Sequence, residues 1–240
     1  MMVTESSVPL VLLSGLAADS RIFVSQKLAF PQLRVPVWRR PSRDETLDAY
    51  AQRLAVDIGT APCVIGGASF GGIVALHIAK YINPTAVILI GSIKSPSELP
   101  LYARFARPLR FLVPLVPIRV GQLLAWPLTL RCFRRLAPFT YGLACQLRDS
   151  DPRVFRWSLS RILDWSAAPV LHCPIFHIHG DRDWTLPIRY TEPDTVVAGG
   201  GHVLTVTHGS EANAFIRGIL AQTEDNAEDL TSRVGTNGAE

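Results

Sequence analysis

The 240-residue sequence predicts an α/β domain, a mostly parallel sheet with helices on both faces. Three observations point to it. Short apolar runs alternate with stretches of helical period over the first 93 residues. The alternation pauses over a basic, proline-punctuated stretch and resumes near Ile175. A turn of small residues, Gly67-Ala68-Ser69-Phe70-Gly71, joins one apolar run to a helical one.

The elements follow in order. Val8 to Ser14 is an apolar run ending at Gly15 and reads as a buried strand. Ser20 to Phe30 has helical spacing, with Asp19 or Ser20 as N-cap and Pro31 beyond its end. Leu33 to Trp38 reads as a second short strand. Asp44 to Ile58 places Leu47, Tyr50, Leu54 and Ile58 on one helical face. Cys63 to Gly67 is a third strand, Phe70 to Tyr81 a helix rich in Ala, Ile and Leu, and Ala86 to Ile90 a fourth strand. Ile175 to His179 and Thr195 to Ala198 supply two more strands, and Glu211 to Ala221 an amphipathic closing helix. From Gln222 onward the chain is polar and acidic, which predicts a disordered tail.

Composition limits the function classes. Hydrophobic residues make up 48% and charged residues 18%, enough for one large domain with a substantial core. The most apolar stretch, Leu109 to Leu130, contains Arg110, Arg119 and three prolines, which argues against a membrane span. The N-terminal Met-Met-Val-Thr-Glu-Ser-Ser lacks a basic patch and a cleavage site, so a cytoplasmic location is the default expectation. The four cysteines show no close spacing, and Cys63 and Cys173 sit in apolar runs, where reduced thiols are ordinary. Net charge is +4, but residues 94–165 hold twelve cations against Glu98, Asp149, Asp151 and Asp164. No nucleic-acid-binding motif accompanies this excess.

Ser69 carries the chemistry. Chance supplies Gly-x-Ser-x-Gly about once in fifteen chains of this length, so the setting must carry the argument. Here the pattern sits where a buried strand meets a small-residue helix, as a nucleophile elbow requires. Gly67 and Gly71 lack Cβ atoms and let strand and helix approach. The helix start aims N–H groups at developing negative charge. A dinucleotide fingerprint is excluded because Ala68 and Ser69 interrupt it, and a phosphate loop because Gly71-Gly72-Ile73 supplies no lysine. No cofactor is implied.

A serine hydroxyl needs a base and an orienting acid. His202 is the best base, on a loop after Gly199-Gly200-Gly201; His208 is the runner-up. His77 should point away, and nothing favours His172. His177 and His179 share one strand face, where satisfied core histidines are favoured over a metal pair. For the acid, Asp181 and Asp183 both lie just past a strand end.

The span from about Pro9 to Leu220 resembles the α/β-hydrolase superfamily. Gly180-Asp181-Arg182-Asp183 followed by Pro187 is similar to its acid-bearing loop, which implies Asp183 as the triad acid and leaves Asp181 a turn or capping role. The order Ser69, Asp183, His202 is the order of that fold. The resemblance also implies an oxyanion hole formed by the backbone N–H groups of Phe70 and Leu16. Many relatives carry His-Gly in the Leu16 loop; here Ser14-Gly15 stands there, so its supporting hydrogen bonds must come from elsewhere.

The implied organisation is a core of residues 1–93 and 166–221, a helical cap of residues 94–165 and a tail of residues 222–240. Phe105, Leu109, Phe111, Leu112, Leu115, Trp126, Leu130 and Phe133 either line the cap as an apolar roof or pack it onto the sheet. Its arginines allow three readings: a solvated face, contact with an anionic membrane surface, or recognition of a substrate anion. The expected reaction is hydrolysis of a carboxylic ester or thioester through an acyl-Ser69 intermediate. A carbon–carbon lyase or a non-catalytic binding protein on the same fold are the alternatives.

Overall fold

The computed structural model describes residues 8–236. The N-terminal seven residues, on which the expectation about a signal peptide rests, and the last four of the expected tail lie outside the described residues. Five strands, β1 (Leu10–Leu13), β2 (Val64–Ala68), β3 (Ala86–Ile90), β4 (Ile175–Gly180) and β5 (Thr195–Val197), form one sheet in that order. Every neighbouring pair is parallel. Each strand therefore ends on the same edge, and the loops after all five converge there.

Alternate residues of the central strands enter two separate cores. Val11, Leu13, Ile65, Val87 and Leu89 face α2 (Leu47–Ile58) and α3 (Phe70–Ile82). Leu10, Leu12, Val64, Ile88 and Ile90 face Ile22 and Phe23 before α1 (Val24–Ala29), and Ile216, Ile219 and Leu220 of the closing helix. Burial on both faces explains why these strands read as unbroken apolar runs.

The structure departs from the sequence reading in three places. Leu33 to Trp38 is not a strand. Arg34 forms a bridge to Val11, exchanging bonds with the β1 backbone at Leu10 and Leu12. Pro36, which has no N–H to donate, then ends the pairing. The helix expected from Asp44 begins at Leu47, because Asp44 adopts φ 57° and the Thr46 hydroxyl caps Ala49 N–H instead. The closing helix spans Gly209–Thr236, running through the expected tail. Residues 222–234 contain no Gly or Pro, so a helix already nucleated upstream extends into them without a new nucleation cost.

Between β3 and β4 the chain is helical. It forms α4 (Leu101–Ala106), α5 (Ile118–Ala125), α6 (Arg131–Leu136), α7 (Pro138–Asp149) and α8 (Pro152–Asp164), linked by 3-10 turns. Pro138 and Pro152 occupy first helical positions, where their missing N–H costs nothing, while Pro117 and Pro127 lie at breaks between helices. After β5 come the short α9 (Leu204–Thr207) and the closing helix, α10.

Candidate active site

Ser69 occupies the single-residue junction between β2 and α3, with φ 52° and ψ −124°. A non-glycine residue there stores about 1–3 kcal/mol of strain, held by the packing around it. That packing depends on glycine. A Cβ on Gly67 would lie 2.4 Å from the Gly71 carbonyl carbon, and one on Gly71 only 2.3 Å from the Leu13 carbonyl oxygen. Ser92, just past β3, donates its hydroxyl hydrogen bond to the Ser69 carbonyl at 2.7 Å.

The loops after β4 and β5 bring two partners to Ser69. His202 Nε2 lies 2.9 Å from Ser69 Oγ, and His202 Nδ1 lies 2.7 Å from Asp183 Oδ2. The structure thus brings Ser69, His202 and Asp183 into one hydrogen-bonded chain. Asp183 is buried and accepts N–H bonds from Thr185 (2.8 Å) and Leu186 (2.7 Å) on its other oxygen. Burial pushes its carboxyl up, but hydrogen bonds from His179, His202 and the Leu186 N–H outweigh this and hold it well below the usual carboxylate range. Asp181 instead accepts from Gly199 N–H at 2.7 Å, tying the two loops together.

Behind Asp183 stands a buried histidine pair that the sequence marks only as core. His179 Nε2 lies 2.7 Å from the Leu186 carbonyl oxygen, so it carries the proton and donates. The same nitrogen is 3.4 Å from Asp183 Oδ2. His177 Nε2 lies 3.1 Å from His179 Nδ1. Burial, reinforced by His179, drives the His177 pKa down to about 3, so that ring is neutral near pH 7. Among the described residues no group of three or more His, Cys, Asp or Glu is arranged to hold a metal ion. His77 accepts from Trp165 Nε1 on the far side of α3, and His208 contacts Thr207.

The two residues expected to supply oxyanion N–H groups flank Ser69. Phe70 is the first residue of α3, so its N–H has no intrahelical acceptor. Leu16 follows Gly15, where an added Cβ would sit 3.3 Å from Ser69 Cβ. Ser14 spans that loop: its hydroxyl donates to the Ala18 carbonyl at 2.9 Å and accepts from Trp38 Nε1 at 2.8 Å. Trp38 in turn stacks on Phe70 at 5.7 Å. These links support the loop in which Ser14-Gly15 stands. Sequence periodicity does not single out Trp38, because its partner Ser14 lies 24 positions away.

Two mainly apolar chambers meet at Leu16, Ser69 and His202. One, of about 580 Å³, is closed by Tyr102, Leu109, Leu112 and Val113 from the helical segment after β3 and by Leu159 and Leu163 of α8. The other, of about 450 Å³, runs beneath Ala125, Leu128, Leu143 and Leu147. A carbonyl group at Ser69 could therefore extend one substituent into each.

No family model matches the sequence, and no curated protein matches it. The structure is similar to solved ones. A malate-bound thermophilic esterase from Thermogutta terrifontis superposes with a TM-score of 0.68 at 21% identity, covering 92% of each chain. The enol-lactonase from Burkholderia xenovorans LB400 gives 0.64 at 14% identity, covering 91% of this chain and 94% of that one. A bromoperoxidase from Bacillus anthracis gives 0.61 at 18% identity, over 91% and 93%. At these identities the likeness shows the fold: the chain has the α/β-hydrolase fold.

Proposed function

We propose that this α/β-hydrolase-fold chain is a serine hydrolase that cleaves a carboxylic ester or thioester of a small or medium apolar acyl or aromatic substrate. The observation that carries the reading is the hydrogen-bonded chain from Ser69 Oγ through His202 to the buried Asp183. Ser69 Oγ attacks the substrate carbonyl carbon as its proton passes to His202 Nε2. The developing oxyanion takes hydrogen bonds from Leu16 N–H and Phe70 N–H. Collapse of the tetrahedral adduct breaks the bond to the leaving alcohol or thiol, which receives the proton from His202. Water, deprotonated by His202, then attacks the acyl-Ser69 carbonyl, and the acid leaves as Ser69 regains its proton.

Asp183 holds the imidazole tautomer and stabilises the imidazolium that forms. Its own proton affinity, kept low by His179 and His202, leaves it ionised throughout. The apolar walls of both chambers support an apolar acyl or aromatic group and limit water around the adduct.

A fluorophosphonate probe tests this reading. The wild-type chain should be labelled stoichiometrically, and Ser69→Ala should abolish labelling. A screen of acyl chain lengths as esters and thioesters then defines the substrate. Product release without incorporation of solvent oxygen would instead point to lyase chemistry.

A further inference from the structure

The helical segment between β3 and β4 has an unusual surface. Phe105, Phe111, Leu115, Leu123, Leu124 and Leu136 are each between 69% and 80% exposed. A soluble helix normally turns such side chains inward. On α5, Arg119 and Leu123 stand one turn apart, as do Val120 and Leu124, so arginine and aliphatic side chains share its outer side. On α6, Arg131, Arg134 and Arg135 project beside the exposed Leu136.

The charges along residues 99–148 have one sign. No Asp or Glu occurs between Glu98 and Asp149, a span that contains eight arginines. Some of these are used within the segment: Arg110 pairs with Asp164 at 2.9 Å, and Arg107 donates to the Trp165 carbonyl at 2.7 Å. Arg119, Arg131, Arg134 and Arg135 are exposed and form no ion pair among the described residues.

We infer that this segment docks on the surface of an anionic phospholipid bilayer. Exposed Phe and Leu side chains would enter the boundary between headgroups and acyl chains, and the free arginines would bind lipid phosphates. A second copy of the chain is the poorer occupant, because a two-fold contact would set this arginine-rich surface against itself. Spanning is the poorer geometry. No single helix among the described residues is long and apolar enough, and the pair Leu101–Leu115 and Ile118–Thr129 is bent by 80°. The exposed Leu109 and Leu112 also line the larger chamber at Ser69. On the hydrolase reading proposed above, the docked face would therefore border the path of a membrane-dissolved acyl ester.

Vesicle flotation tests the docking, using the full chain as wild type and as Ser69→Ala so that binding is read without turnover. Vesicles of phosphatidylcholine alone are compared with equimolar phosphatidylcholine and phosphatidylglycerol. Both proteins should float with the anionic vesicles, and added salt should release them. Replacing Arg119, Arg131, Arg134 and Arg135 together with Gln should weaken that binding by roughly several hundredfold, at about fivefold per arginine. Leu123→Ser with Leu124→Ser should weaken it as well, and thermal melts should be unchanged in both variants. Equal binding to neutral and anionic vesicles, or no binding to either, would overturn the inference. So would a concentration-dependent dimer whose assembly buries this surface. Floating of unlabelled Ser69→Ala alongside failure of the probe on the wild type would sink the hydrolase reading alone.

Discussion

Helix α3 and the helices after β3 draw on similar amino acids and use them in opposite ways. In α3, eleven of thirteen residues are buried, including the whole run from Phe70 to Ala79. Along α5, Ile118 alone is buried, and Val120, Leu123 and Leu124 are exposed. The first helix is clamped between sheet and α2 and sets the position of Ser69 to within the tolerance of a hydrogen bond. The second contributes little to the core and forms walls and surface. Apolar content alone therefore does not distinguish scaffold from cover; the number of faces each helix has against protein does.

Three perturbations sharpen this contrast. The largest effect is expected at the hub that α3 and its sheet edge position: Asp183→Asn should lower kcat/KM by about 10⁴-fold, by presenting the wrong imidazole tautomer. The assay is hydrolysis of the best ester from the chain-length screen, with a melt to show that the variant is folded. Retention of wild-type kcat/KM would remove Asp183 from the mechanism. Next comes packing. Ile73→Ala in α3, where the side chain is 3% exposed, should cost about 2–5 kcal/mol in urea denaturation, against less than about 0.5 kcal/mol for Leu123→Ala, 71% exposed. Similar losses at both positions would break the distinction between the two helices.

The smallest effect concerns the histidine pair beneath the site. Burial holds His177 neutral, with a pKa near 3 against an unfolded value of about 6.5. A base whose folded pKa is depressed binds fewer protons folded than unfolded across that window. Stability from this residue is therefore present above about pH 6.5 and lost as pH falls towards 3. His177→Phe should flatten the pH dependence of the urea midpoint between those limits. An unchanged slope would assign the acid sensitivity elsewhere.

The site was more legible in the sequence than its supports were. Ser69 could be read because strand, turn and helix are contiguous, and their small residues signal the close approach that the Gly67 and Gly71 contacts require. Asp183 could be read once a family pattern was used; from residue chemistry alone Asp181 was its equal, and only the folded loops separate an acid facing His202 from one bonding Gly199 N–H. Leu33 to Trp38 was misread because its apolar alternation suits a strand, while what decided the outcome was a missing donor at Pro36 beside an edge. The Ser14–Trp38 bond and the His177–His179 pair depend on side chains meeting across the fold or behind the loop that carries Asp183, where local period carries little information.

Ser69 and His202 are separated by 133 positions along the chain, yet their side chains share one hydrogen bond. The contact closes only when β2 and the loop beyond β5, with β3 and β4 between them in the assembled parallel sheet, are both in place. Such non-local closure is entropically late in folding. Covalent reactivity at Ser69 would accordingly serve as a sensor of completed topology: a partly folded chain could hold an intact elbow and still be chemically silent.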